Sequence, residues 1–419
     1  MFPGAVIRKL YPSEEAFAHY EAFISFTAHV RGHIDTAAMS EAFDALLETH
    51  RVFSAHLEPG PDGNHHIVAN DLFHSGISVV GGNNGMRAGT AELQLDQRVS
   101  LLYLQVRLGE GETWVTVYVH HGLADAHHIA GLLDELLSRY TDVVTTGDPG
   151  PIIPEPAPEP AEIVLRQRGI KQGGMTGLER FLPLVFAYDF PPAPQPSVIA
   201  KPGAPQPVPV TRCRLTKQET ADLVTFSRDN GLSLNSVIAA GILLAEWRLR
   251  NTPHIPIPYC YAVDLRFFVT PPVMATECTN PVGLATYLAE IGPDTDIIDL
   301  ANDIVTTFRA DLSDGLIYQS ALHARRIFDG TPPGLPPFVF CTNVSTLPDV
   351  RTPEGVELQD FSSQVHCSMH VPAGFYACVI ATDQLAIEHH GDVPEAENLL
   401  EAIRDVLCSA PSEYGWVME

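Results

Sequence analysis

Prolines decide where this chain can be divided. Two dense groups stand out among its 35 prolines: Gly147–Pro160 (GDPGPIIPEPAPEP) and Pro191–Pro209 (PPAPQPSVIAKPGAPQPVP). Proline fixes φ and removes a backbone N–H, so neither stretch continues a helix or a central strand, and both favour extended conformations. A chain of 419 residues is also too long for one small core. The division that follows is an N-terminal lobe over 1–146, a proline-rich crossover over 147–209, and a C-terminal lobe over 210–419. A short helix-compatible piece, Gly177 to Tyr188, interrupts the crossover.

Periodicity places strands and helices in both lobes. Asp35 to His50 (DTAAMSEAFDALLETH) carries an apolar stripe of Ala38, Ala42, Leu46 and Leu47, with Asp35 or Thr36 as its cap. Strands are expected at 65–69, 77–80 and 100–107. In the second lobe Thr216 and Glu219 form a capping box, and that helix stops at Gly231. Ser233 to Arg250 is expected as a helix buried nearly all round. Further strands are expected at 257–263, 337–342, 364–371, 375–381 and 384–388, with helices at 296–312 and 395–408. Mixed elements in both halves give an α/β (α+β) chain of two lobes, each a mixed sheet with helices, and a cleft between them is the expected place for a site.

One junction carries chemistry. Trp114 to Val119 alternates as a half-buried strand does, and Ile129, Leu132, Leu133, Leu136, Leu137 and Tyr140 recur at helical spacing. Between them stands His120-His121-Gly122-Leu123-Ala124-Asp125, an HHxxxD pattern at a strand-to-helix turn. Such a turn holds a side chain firmly at the edge of a cleft. His121 is then a candidate general base, since an alcohol is too weak an acid to ionise unaided at neutral pH. A lone histidine at a strand end is more often a satisfied structural residue, so the flanking pattern has to carry this reading. Alternation turns His120 to the opposite face, which makes it structural. Asp125 has two readings: it pairs with His121 as in a triad, or it binds a distant arginine and locks the loop. His127 and His128 complete a set that looks metal-binding on paper, but the HExxH spacing is absent and no metal is expected.

Other classes of function lose ground on composition. Lys and Arg number 25 against 51 Asp and Glu, a formal charge of −26, which argues against nucleic acid or an anionic surface as the main partner. There is no GxSxG elbow and no phosphate-binding glycine loop after a strand, so a serine acyl-enzyme and ATP-dependent ligation lack support. The seven cysteines show no CxxC and read as buried thiols. No apolar run approaches the ~18 residues of a membrane span, and the first twenty residues lack a signal-peptide core. A cytoplasmic protein, at most peripheral to a membrane, is expected.

These residues also resemble a known family. The HHxxxD pattern, with Ala126 where a glycine is usual, is similar to the HHxxxDG of the acyltransferase superfamily that includes chloramphenicol acetyltransferase, plant BAHD acyltransferases and peptide-synthetase condensation domains. Leu46 to Phe53 resembles an early segment of that superfamily. Val263-Asp264-Leu265-Arg266, then Pro271-Pro272 and Asn280-Pro281-Val282-Gly283, resemble its "DxR…PP…GN" region. Phe338 to Ser345 occupies the place of a family strand, and the DFGWG motif of the plant branch is missing. The opening MFPGAVIRKL, the segment NTPHIPIPYCYAVDLRF and the ending PSEYGWVME look like mycobacterial polyketide-associated acyltransferases.

The resemblance implies two chloramphenicol-acetyltransferase-like lobes with the active site between them. It implies transfer of long, methyl-branched acyl groups from a carrier-protein or CoA thioester to the hydroxyls of a lipid diol such as phthiocerol. No cofactor is implied beyond the thioester itself. It favours Arg266 as the partner of Asp125, and leaves Asn343 or Ser345 as an oxyanion or substrate contact against the plainer reading of a strand-end cap. Arg309, Arg325 and Arg326 are candidates for docking an acidic acyl carrier domain, against the plainer reading of a solvated helix face. An amide-forming condensation enzyme and a catalytically silent carrier-binding module remain open as alternatives.

Overall fold

The computed structural model describes residues 5–70, 76–81, 93–190, 197–198, 205–323, 338–347, 349–370 and 374–413. Two six-stranded sheets organise it. The first runs in the order β5 (Ile77–Gly81), β6 (Leu102–Leu108), β7 (Glu112–His120), β2 (Phe23–Arg31), β14 (Glu357–Cys367) and β9 (Gln206–Pro207). The second runs β10 (Val210–Arg214), β17 (Gln384–His390), β16 (Phe375–Ala381), β13 (Val339–Thr346), β11 (Ile257–Asp264) and β12 (Val282–Ala289). Two small sheets complete the strands: β1 (Val6–Lys9) with β4 (His65–Val68) and β3 (His56–Pro59), and β8 (Ser197–Val198) with β15 (Met369–His370). The expected α/β class with a mixed sheet in each lobe is what the chain adopts.

Helices cover one face of each large sheet. In the first lobe α2 (Thr36–Thr49) and α3 (Ala126–Thr146) pack over Phe26, Ala28 and Val30 of β2 and Val115, Val117 and Val119 of β7, all buried. Asp35 caps α2 through Oδ1, which accepts from Ala37 N at 2.9 Å and Ala38 N at 3.2 Å, as its sequence requires. In the second lobe α6 (Lys217–Asp229), α7 (Leu234–Leu249), α8 (Ile297–Ser313) and α10 (Ala396–Glu413) enclose the other core. The Thr216–Glu219 capping box is formed, and the run Ser236 to Ala245 of α7 is buried throughout. Among the described residues no single helix is long and apolar enough to cross a membrane, while the bent pair α6–α7 passes by length and composition only.

Two expectations about connectivity change. The strand expected over 364–371 of the second lobe starts earlier, at Glu357, and belongs to the first sheet, where it pairs antiparallel with β2. Its Phe361 meets Phe26 edge-on at 4.9 Å, so the first core draws the segment across. The expected boundary at residue 210 therefore has an exception, because the chain returns to the first lobe and leaves it again. The crossover also works as a strap. Glu155 N–H donates to Thr49 O at 2.8 Å, and the carboxylate of Glu162 accepts from Ser13 N at 2.9 Å and Ser13 Oγ at 2.7 Å. Glu159 and residues 277–279 exchange backbone bonds of 2.9 and 3.0 Å. Its helix α4 (Ala161–Gln167) buries Ala161, Val164 and Leu165 against Val263, Leu265 and Cys278.

Candidate active site

Strand β7 delivers the two histidines and α3 stops them from drifting. β7 is flanked by β2 and β6, so its backbone is paired on both sides. Asp125, extended at φ −91° and ψ −179°, caps α3 with Oδ1 accepting from His128 N at 3.0 Å. Ala126 is the first residue of that helix. A helical position suits alanine better than glycine, so the missing family glycine brings no strain.

His120 is fully buried, and both of its nitrogens are used. Nδ1 accepts from Gly122 N at 3.1 Å, which leaves Nε2 to carry the proton and meet Gln97 Oε1 at 2.9 Å. Gln97, itself buried, passes its amide on to Ala18 O at 3.1 Å. Burial, with the neighbouring His121 adding to it, pushes the His120 imidazole down to about 3. It is a neutral strut at any ordinary pH.

His121 differs. It is half-buried, and its Nδ1 lies 3.1 Å from Ala124 O. A carbonyl can only accept, so Nδ1 carries the proton and Nε2 keeps its lone pair. The Phe17 ring, on α1 (Pro12–His19), lies 4.2 Å from the imidazole at a tilt of 34°. Burial lowers the His121 pKa from its ordinary value, while Ala124 O and the Asp125 charge oppose that shift. The imidazole is thus neutral and basic at neutral pH.

The second lobe grips this turn. Arg266, 1% exposed, pairs through Nη1 with Asp125 Oδ2. Its Nη2 donates to Ala275 O and Cys278 O, each at 3.2 Å. Burial alone would lower the guanidinium's pKa, but the Asp125 and Asp264 carboxylates raise it above its usual value. Asp125 therefore bonds an arginine and its own helix. Asp125 N–H donates to Thr279 O at 3.1 Å, and Asn280 Nδ2 donates to His121 O at 2.5 Å. From the first lobe, His121 N–H reaches Ala22 O at 2.8 Å.

The remaining candidates separate. His127 is exposed against Phe267, with rings 5.6 Å apart, and His128 is buried beside Phe53 at 5.5 Å. Among the described residues no cluster of three or more His, Cys, Asp or Glu is placed to hold a metal. Asn343, on β13, spends an amide N–H on Asn235 Oδ1 at 2.8 Å within the second lobe. Ser345 follows it across a register shift in β13. Arg309 is exposed on α8, one residue after Phe308, whose ring lies 5.6 Å from that of Phe268. Arg325 and Arg326 lie outside the described residues.

Phe17, Ala22, Gln97, Thr279 and Asn280 were not singled out from sequence. Asn280 had a visible signal, since it stands in one of the segments that resemble the superfamily. Gln97 had none, because a glutamine in a loop announces nothing about its partner.

Comparison with known proteins now decides the family. A family model described as phthiocerol/phthiodiolone dimycocerosyl transferase C-terminus matches residues 204–390. A phthiocerol/phthiodiolone dimycocerosyl transferase of Mycobacterium ulcerans is 72% identical over 419 residues, covering 100% of both chains. The chain belongs to the phthiocerol/phthiodiolone dimycocerosyl transferase family. The protein of the same name from Mycobacterium tuberculosis H37Rv is 58% identical over 422 residues, again covering 100% of each chain. Among solved structures, polyketide synthase associated protein 5 from Mycobacterium tuberculosis matches with a TM-score of 0.89 and 57% identity, covering 99% of this chain and 100% of the other. A trichothecene 15-O-acetyltransferase from Fusarium sporotrichioides matches at 0.71 with 11% identity, covering 96% and 94%. At that identity the likeness speaks for the fold alone. This member of the dimycocerosyl transferase family is an acyltransferase.

Proposed function

We propose that the protein transfers a long, methyl-branched acyl group from a thioester to a hydroxyl of a phthiocerol-type diol lipid, with His121 as general base. One observation carries the base assignment: Nδ1 is held by Ala124 O, so the basic lone pair sits on Nε2. Nε2 takes the hydroxyl proton as the alcohol oxygen attacks the thioester carbonyl. The tetrahedral intermediate then collapses, the C–S bond breaks, and the imidazolium returns its proton to the leaving thiolate. The products are an ester and a free thiol, and the balance needs no metal, cofactor or acyl-enzyme. That the relatives from Mycobacterium ulcerans and Mycobacterium tuberculosis are phthiocerol/phthiodiolone dimycocerosyl transferases supports the acyl and acceptor classes.

The donor is proposed to arrive on an acyl carrier domain or as a CoA thioester. Acyl carrier domains are acidic, so the exposed Arg309 is the side chain we assign to their docking. A peripheral position at a membrane suits a diol lipid as acceptor.

The test compares wild type with His121→Ala, using palmitoyl-CoA and a long-chain alcohol, and follows thiol and ester together. A folded variant should lose roughly a hundredfold or more of the rate. A variant that keeps its rate sinks the general-base mechanism. Turnover with an amine but no alcohol would move the reading to amide formation.

A further inference from the structure

The base is carried by the first lobe, yet its backbone is held by the second. We infer that Asn280 is a positioning residue whose side-chain amide fixes the peptide group that aims the His121 imidazole. This rests on the reading of His121 as the base.

The geometry is closed on every side. Asn280 is 6% exposed, and its Nδ2 lies 2.5 Å from His121 O. The amide is itself anchored: Thr279 N–H donates to Glu159 O at 3.0 Å on one side, and Leu265 N–H donates to Pro281 O at 2.8 Å on the other. His121 N–H is taken by Ala22 O, so both peptide groups of the residue are fixed, one by each lobe. Its Nδ1 is fixed in turn by Ala124 O. An imidazole whose flanking peptides cannot rotate keeps Nε2 on one line, and such preorganisation is where a displacement of about 1 Å can cost about a hundredfold in rate. The charge acting on His121 is that of Asp125, which is paired with Arg266, while His120 stays neutral. Asn280 adds direction without charge.

Asn280→Asp keeps the shape and replaces the donor with an anion facing the carbonyl. In the palmitoyl-CoA assay kcat should fall by roughly tenfold to a hundredfold, with KM for donor and alcohol within about twofold of wild type. The added negative charge favours the imidazolium, so the acid limb of kcat/KM should move to higher pH. A merely structural change would lower the folded fraction without moving that limb. If Asn280→Asp fails to fold, Asn280→Ser serves in its place: neutral and shorter, it should show the same loss of kcat per folded molecule at an unchanged KM, where a merely structural change would lower the folded fraction and leave kcat per folded molecule intact. A folded variant with wild-type kcat, or with its loss in KM alone, overturns the inference. His121→Ala run in parallel separates the two ideas. If His121→Ala keeps its rate, the base reading falls; if it loses its rate while the Asn280 variants keep theirs, only the positioning role falls.

Discussion

The turn after β7 has two sides, and they are built on opposite principles. On the His120 side every bond stays within the first lobe: Gly122 N–H to Nδ1, Nε2–H to Gln97, and Gln97 to Ala18 O. On the His121 side the decisive bonds run between the lobes, to Asn280, Thr279 and Arg266 of the second. Neighbouring imidazoles thereby acquire different chemistry. One has both nitrogens bonded and is inert, while the other has one bonded and keeps a lone pair. In the proposed mechanism a histidine becomes a base through the bond it lacks, and the lobes divide the work of holding it.

The comparison breaks most severely at Arg266. Arg266→Met would leave Asp125 charged and unpaired in the seam, a loss of about 3–5 kcal/mol, read by chemical denaturation of the folded protein. A loss below about 1 kcal/mol, the range of an exposed pair, would mean that the seam is wetter than its burial indicates.

The first-lobe side should be cheaper to disturb. Gln97→Leu removes the acceptor for His120 Nε2–H, and an unsatisfied buried donor costs about 1–3 kcal/mol. The same denaturation experiment measures it. A penalty equal to that of Arg266→Met would erase the asymmetry between the two sides.

The smallest effect sharpens the contrast by titration. Protonating His121 removes its lone pair, so the rate falls as pH drops through its pKa. Burial lowers that pKa, which puts the acid limb of kcat/KM below the ordinary imidazole value of about 6.5. His120, held down to about 3, adds no limb near neutrality. An acid limb at or above about 6.5 would contradict the burial of the site.

Much of this was legible along the chain. The strand Trp114 to Val119, the helix that follows Asp125, and the capped helices at Asp35, Thr216 and Ser233 all stand where their residues put them. β2 was missed although it is a central strand of the first sheet. From Ile24 its residues do alternate, Ile24, Phe26, Ala28 and Val30 against Ser25, Thr27, His29 and Arg31, so the mark of a half-buried strand was there to be read. β12 has a clear alternation of exposure, but all of its sequence is apolar or small apart from Thr286 and Tyr287, so the pattern is faint.

The sequence by itself determined the local geometry around the proposed base: a strand, a turn and a capped helix, with an aspartate at the cap. Periodicity and capping involve residues a few positions apart, so they can be read in order. Only the tertiary structure decided that β14 crosses to the first sheet, that the proline-rich crossover bonds both lobes, and that Asn280 reaches the carbonyl of His121 from 159 positions away. Those choices depend on which distant surfaces fit and which buried polar groups find partners, and neither quantity leaves a local trace in the chain.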